Sequence, residues 1–185
     1  MPVLISMFRG VNLGPHNRIK MDALRALYES LKLEDVRTYV QSGNVIFRTK
    51  EKNLAGLAKK IENAFEEEFG FRSDVILRTT YELRQAIATN PFAKRRDAEP
   101  GKLLITFLAA EPDAEAHTVL LGFKAHPEEL HLKGRELYIY FPNGAGKSKL
   151  PWSSVAKLLK TTGTARNLNS ATKMLEMAEE MEASR

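Results

Sequence analysis

The chain has 185 residues, of which 43% are hydrophobic and 28% are charged, so it can bury a core as one large domain or two small ones. It contains no cysteine, which excludes disulfide bonds, thiolate nucleophiles and thiolate metal sites. The formal net charge of +5 weakly favours an anionic partner, and no apolar run approaches membrane-spanning length, so we expect a cytoplasmic protein with no membrane partner.

The first half of the sequence predicts the chain order β-α-β-β-α-β, which is the order of a ferredoxin-like unit. An apolar run and stretches of alternating character predict four strands, over residues 3–8, 35–41, 44–48 and 73–79. Apolar residues at helical spacing predict two helices, over residues 21–31 and 54–69. Gly70 is placed to end the second helix, and Ser42-Gly43 is a turn signal between the second and third strands.

The second half repeats this order of elements after a short connecting helix over 81–89 and a polar segment over 94–101. The patterns predict four more strands, over residues 102–109, 129–133, 136–141 and 162–166. They also predict two more helices, over residues 112–123 and 151–160. A C-terminal helix follows, with Asn167 or Asn169 as its cap. We therefore predict an α+β protein, a tandem pair of ferredoxin-like βαββαβ halves over residues 1–90 and 91–185.

Three windows contain no acidic residue, at 1–21, 36–50 and 137–175, and each of them contains one or two glycine-rich loops. In a βαββαβ unit the third strand lies between the first two, which are parallel. The end of the first strand therefore shares an edge with the turn between strands two and three. In the first half we therefore expect 9–14 beside 41–44. In the second half we expect 143–149 at the same sheet edge as 166–167.

Arginine, lysine and asparagine at these strand ends suit the binding of an anion. A guanidinium binds phosphate or carboxylate through two parallel hydrogen bonds, and an asparagine supplies both a donor and an acceptor. The same side chains also fit an internal role, in which they tie loop carbonyls or cap helices. If the two halves pack about a pseudo-twofold axis, we expect these loops to face one electropositive cleft. We expect the Arg166 side chain to be partly exposed. The predicted ligand-binding residues are Arg9, Asn12, Ser42, Asn44, Lys147, Ser148, Arg166 and Asn167.

Other familiar sites are poorly matched by the sequence. The segment 144–148 reads Gly-Ala-Gly-Lys-Ser, but Phe141 stands where a nucleotide-binding phosphate loop requires its first glycine. No catalytic triad or cluster of metal ligands stands out, so we assign no catalytic residue and expect no metal or cofactor. Ser42 and His16 are only modest candidates for proton transfer. Tyr138 and Tyr140 share a strand face, which is either a base-stacking platform or a covered sheet face.

Several motifs resemble those of a widespread bacterial family of unknown function. The segment 9–14, Arg-Gly-Val-Asn-Leu-Gly, is similar to the family opening Arg-Gly-Ile-Asn-Val-Gly, and 41–44 carries the family motif Gln-Ser-Gly-Asn. Asn90-Pro91-Phe92, the Lys147-Ser148 loop and the segment 164–167 resemble later family motifs, so the resemblance covers nearly the whole chain. The chain departs from the family at Pro15, where a glycine is common, and at Leu168, where an aromatic usually follows. The resemblance implies an α+β protein of two similar halves and brings no established activity.

These observations favour a protein that binds a small anionic ligand, phosphorylated or nucleotide-like, in a cleft lined by glycine-rich loops. The alternatives are a nucleic-acid-binding protein and an enzyme that acts on an anionic substrate. Neither the ligand nor the oligomeric state follows from the residues.

Overall fold

A computed structural model describes residues 1–184, which form a mixed α+β structure with two four-stranded antiparallel sheets and six α-helices. Contacts group the chain into two units. The first unit comprises Met1–Arg84 and the segment from Lys173 onward, and the second unit comprises Gln85–Thr172. The predicted division into halves at residue 90 stays a prediction. None of the helices within residues 1–184 has both the length and the apolar character needed to cross a bilayer.

The elements of the first unit follow the predicted order closely. They are β1 (Val3–Phe8), α1 (Met21–Ser30), β2 (Glu34–Tyr39), β3 (Asn44–Arg48), α2 (Leu54–Phe69), β4 (Val75–Thr79) and the start of α3 (Thr80–Ala88). The Asn53 side chain caps α2 by accepting from the Gly56 N–H at 2.9 Å. As predicted, α2 stops at Gly70, whose φ of 75° is a left-handed conformation that glycine adopts without steric cost.

The strand order of the first sheet is β2-β3-β1-β4, with β3 antiparallel to both β1 and β2. This register pairs Met7 near the end of β1 with Asn44 at the start of β3. The Phe8 N–H also donates to the Gly43 carbonyl at 2.9 Å. The prediction that the loop over 9–14 meets the turn over 41–44 is therefore confirmed.

One face of the first sheet packs against α1 and α2. Its buried side chains form the first core, which includes Phe8, Leu24, Tyr28, Ile61 and Phe65. The aromatic rings of this core touch in tilted or edge-to-face pairs, which adds attraction beyond the area that they bury. This core fixes the edge of the sheet where the predicted ligand-binding residues of the first unit lie.

The second unit contains the end of α3 and then β5 (Leu103–Leu108), α4 (Ala114–Leu121), β6 (Glu129–Lys133), β7 (Glu136–Tyr140), α5 (Trp152–Leu159), β8 (Gly163–Asn167) and the start of α6 (Leu168–Ala183). Its strand order is β6-β7-β5-β8. At the start of β5, Leu103 pairs with Tyr140, the last residue of β7. The next residue, Leu104, pairs with Asn167, the last residue of β8. The ends of β7 and β8 therefore lie at the same edge of the sheet, as predicted.

Candidate functional site

In the first unit, Asn12 holds the loop over 9–14 in place. Its Nδ2 donates to the carbonyls of Ile19 at 3.2 Å and Gln41 at 2.6 Å, and its Oδ1 accepts from the Ile19 N–H at 2.8 Å. These bonds use both ends of the amide and join the loop to the β2–β3 turn. Asn12 was predicted to contact a ligand, and the structure places its side chain in this internal network.

Asn44 has a similar internal role at the start of β3. The residue is fully buried, and its Nδ2 donates to the Tyr39 carbonyl at 3.0 Å and to Ser42 Oγ at 2.9 Å. Ser42 is therefore also part of the turn. Arg9 is different because its side chain is 56% exposed and, within residues 1–184, its one ion pair is a long contact of 3.5 Å to Asp74. Of the four predicted residues in the first unit, Arg9 is the charged one, and its charge is accessible to solvent.

Arg166 in β8 is buried, so the expectation of partial exposure is wrong. The residue is 8% exposed, and its Nη1 donates to Thr164 Oγ1 and to the Ala165 carbonyl, both at 2.8 Å. Side chains alternate across a strand, and Arg166 shares a face with Thr164 and with its cross-strand neighbour Ile105, both of which are buried. Burial lowers the pKa of the guanidinium to about 10, which leaves it charged at neutral pH.

Asn167 and Ser148 also make local hydrogen bonds. Asn167 Oδ1 accepts from the Ser170 N–H at 2.8 Å and thereby caps α6, which is one of the two caps predicted. Ser148 Oγ accepts from the Leu150 N–H at 3.1 Å and shapes the segment that leads into α5. Lys147, the remaining predicted residue of the second unit, is exposed.

Lys147 lines a cavity of about 290 Å³ in the second unit, which we call the lysine cavity. One wall is the connection between α4 and β6, and the other is the connection between β7 and α5. The polar and charged residues that line it are Lys124, His126, Glu128, Asn143, Lys147 and Lys149. Three lysines and one carboxylate give this cavity a formal excess of two positive charges.

The β6–β7 hairpin explains why these two connections meet. Glu129, the first residue of β6, pairs with Tyr140, the last residue of β7. The residues before Glu129 must therefore lie beside those after Tyr140. Gly144, with a φ of 85°, and the short 3₁₀ turn Ala145–Lys147 then fold the second wall back.

Sequence reasoning selected Lys147 but not Asn143 or Lys149 from the 143–149 loop. It also missed three residues on the other wall of the lysine cavity, namely Lys124, His126 and Glu128. They lie outside the glycine-containing, acid-free windows that guided the choice of candidates. The predicted hairpin around Gly134 was the signal that would have found them, since its register brings the 124–128 segment beside the 143–149 loop.

The structure removes two other interpretations of the second unit. Helix α5 begins at Trp152, well after Lys147, so the Gly-Ala-Gly-Lys-Ser segment does not open a helix as a phosphate loop does. Tyr138 and Tyr140 are 1% and 4% exposed, and their hydroxyls donate to the carbonyls of Ala86 and Asp97. Rings buried in this way do not form a surface on which bases stack.

Comparison with known proteins identifies a family and a solved structure of similar fold. A family model described as "Protein of unknown function (DUF1697)" matches residues 1–138. The fold is similar to that of the conserved bacterial protein SP0830 from Streptococcus pneumoniae, with a TM-score of 0.70 and 22% sequence identity. The alignment covers 96% of this chain and 98% of that one, and at such low identity it shows the fold alone. No curated protein matches the sequence.

Proposed function

Because the chain belongs to the DUF1697 family, whose description assigns no activity, we propose a function from the geometry of the second unit. The protein binds a small anionic ligand, phosphorylated or nucleotide-like, in the lysine cavity. The observation that carries this proposal is the presence of three lysines around one concave site, none of which makes an ion pair within residues 1–184.

Two of the other lysines of the second unit are paired with carboxylates, whereas Lys94, Lys133 and Lys157 have no such partner within residues 1–184 but do not line the lysine cavity. Lys102 Nζ lies 2.7 Å from Glu99 Oε1, and Lys160 Nζ lies 2.9 Å from Asp113 Oδ2. Lys124, Lys147 and Lys149 have no such partner in the part of the chain that the structure describes. A phosphate supplies the missing negative charge, and solvent screens its attraction to lysines less in a concave site than on an open surface.

In this proposal the eight residues predicted to line one cleft do not all contact the ligand. Lys147 contacts the ligand, whereas Asn12, Asn44 and Asn167 hold the loops by the internal hydrogen bonds described above. That Arg9, Ser42, Ser148 and Arg166 share one ligand with Lys147 stays a prediction. We also propose that each unit is ferredoxin-like, which the β-α-β-β-α-β order and the two strand orders support.

Nucleic-acid binding and catalysis on an anionic substrate remain the alternative functions. A nucleic acid would need many phosphate contacts, and its affinity would fall steeply with salt because each neutralised phosphate releases counterion. A ligand held by three lysines in one cavity should show a shallower dependence. Titration of a single-stranded oligonucleotide and of inorganic pyrophosphate at several salt concentrations therefore separates the two binding functions.

We expect Lys147→Gln to weaken the binding of inorganic pyrophosphate about ten-fold or more, because a charge-assisted hydrogen bond contributes about 1.5–3 kcal/mol. Lys157→Gln is the matched control. Lys157 is exposed on α5 and does not line the lysine cavity, so its loss should change the affinity less than about two-fold. Isothermal titration calorimetry measures both. Equal losses in the two variants would indicate attraction by net charge alone, and no loss in Lys147→Gln would contradict the proposed site.

A further inference from the structure

Trp152 presents an exposed aromatic surface directly after the wall of the lysine cavity. It is the only tryptophan of the chain and the first residue of α5, and it follows the cavity-lining residues Leu150 and Pro151. The side of the indole that faces the protein packs near Phe141, with ring centroids 5.9 Å apart. The residue is nevertheless 46% exposed, which is unusual for so large an apolar side chain.

Glu128 is a second feature that a bare phosphate does not explain. The residue is only 8% exposed and lines the lysine cavity. Within residues 1–184 its side chain makes no hydrogen bond or ion pair. Its carboxylate oxygens stay accessible from the cavity, where a carboxylate can accept hydrogen bonds from donors on a ligand. A ligand that carries hydroxyl donors as well as phosphate would satisfy Glu128 and the lysines together.

We propose that the ligand is a mononucleotide. Its phosphate lies against Lys124, Lys147 and Lys149, its sugar hydroxyls donate to Glu128, and its base stacks on Trp152. This inference rests on the proposed function and specifies its ligand.

The size of the lysine cavity agrees with this arrangement. A volume of about 290 Å³ lies at the lower end of the range for small-molecule sites and suits a sugar phosphate. The base must then extend beyond the cavity. Trp152 does not line the cavity but directly follows the lining residues Leu150 and Pro151, and we therefore place the base against its exposed indole.

Three probes separate the parts of such a ligand, namely inorganic pyrophosphate, ribose 5-phosphate and AMP. In calorimetric titrations we expect AMP to bind about ten-fold more tightly than ribose 5-phosphate, because stacking on an aromatic side chain strengthens the binding of a base. AMP should also quench the fluorescence of the single tryptophan, whereas ribose 5-phosphate should change it little. Equal affinities of AMP and ribose 5-phosphate would overturn the inference.

Two variants test the named contacts. Trp152→Leu keeps an apolar side chain beside Phe141 but removes the stacking surface, so it should abolish the preference for AMP over ribose 5-phosphate. Trp152→Phe should retain most of that preference. Glu128→Gln should weaken ribose 5-phosphate and AMP about five-fold, since a neutral amide is a poorer acceptor. The same change removes a negative charge, so the affinity for pyrophosphate should not fall.

The outcomes distinguish this inference from the proposed function. If pyrophosphate binds in a Lys147-dependent manner but AMP binds no more tightly than ribose 5-phosphate, the nucleotide is wrong and the anion site stands. If the AMP preference survives in Trp152→Leu, the base does not stack on Trp152 and the inference is overturned in that form. If none of the three probes binds, both are wrong. A uniform loss of affinity for all three probes in Glu128→Gln would assign Glu128 a structural role and contradict its contact with the sugar. Circular dichroism of each variant checks that the fold is kept.

Discussion

Replacing Arg48 with methionine is expected to lower the free energy of unfolding by about 3 kcal/mol, because it removes a buried cation that holds several acceptors. Arg48 lies in β3 and its side chain is 10% exposed. Its Nε donates to Asp35 Oδ2 at 2.7 Å, and Nη2 donates to the carbonyls of Met181 and Ser184, at 3.3 Å for the latter. The last carbonyls of a helix have no partner within the helix. Arg48 thus anchors the end of α6 within the first unit.

Arg84→Met is the matched control for this prediction. Arg84 Nε also reaches α6, where it lies 2.9 Å from Glu179 Oε1, but both side chains are more than 40% exposed. Solvent screens such a pair, and its removal should cost less than about 1 kcal/mol. Urea unfolding followed by far-UV circular dichroism measures both variants. Equal, small losses would mean that Arg48 does not anchor α6.

Gly43→Ala is expected to destabilise the protein by about 3 kcal/mol, from backbone strain and steric overlap together. Gly43 has a φ of 73°, which residues with a Cβ rarely adopt. A Cβ at this position would also lie 2.9 Å from Phe8 Cβ and 3.4 Å from Val11 Cβ. These atoms belong to β1 and to the loop after it, so the sheet edge itself would have to move.

Gly10→Ala separates the two causes, because Gly10 has nearly the same φ, 71°, and a Cβ added there would meet no heavy atom within 4 Å. It should therefore cost only the backbone strain, about 1 kcal/mol. Thermal and urea unfolding of the two variants gives the difference. If both lose the same amount of stability, the close approach of Gly43 to Phe8 contributes nothing.

The arrangement of strands was predictable because it follows from short-range patterns and general rules of topology. The apolar run over 3–8 and the turn signal at Ser42-Gly43 predicted a hairpin beside β1, and the register of Met7 with Asn44 agrees. Gly70 predicted the end of α2 because only a residue without Cβ takes a left-handed conformation at no cost. Periodicity and turn chemistry act locally, so one sequence is enough to detect them.

The roles of the predicted site residues were harder to obtain, because the same side chain serves a ligand or a loop equally well. Asn12 and Asn167 have the donors and acceptors of a binding residue, but their side chains form hydrogen bonds with backbone groups of the protein instead. Arg166 was expected to be partly exposed, and its burial depends on which face of β8 residue 166 occupies. A one-residue shift of register reverses that face, and the sequence predicted β8 only approximately.

The lysine cavity illustrates the opposite case, in which long-range geometry assembles residues that carry no local signal. Lys124 and Glu128 precede β6 in a segment without a glycine-rich motif, whereas Lys147 follows β7. Only the pairing of Glu129 with Tyr140 brings them together. The functional proposal therefore depends on the structure more than on the motifs that first suggested an anion site.

The claim that an anion binds in the lysine cavity is tested most directly by ¹H–¹⁵N correlation spectra recorded during a titration with inorganic pyrophosphate. We expect the largest chemical-shift changes in the two cavity walls, over residues 124–128 and 143–150. Changes confined to the loops over 9–14 and 41–44, with the two walls unaffected, would contradict the claim.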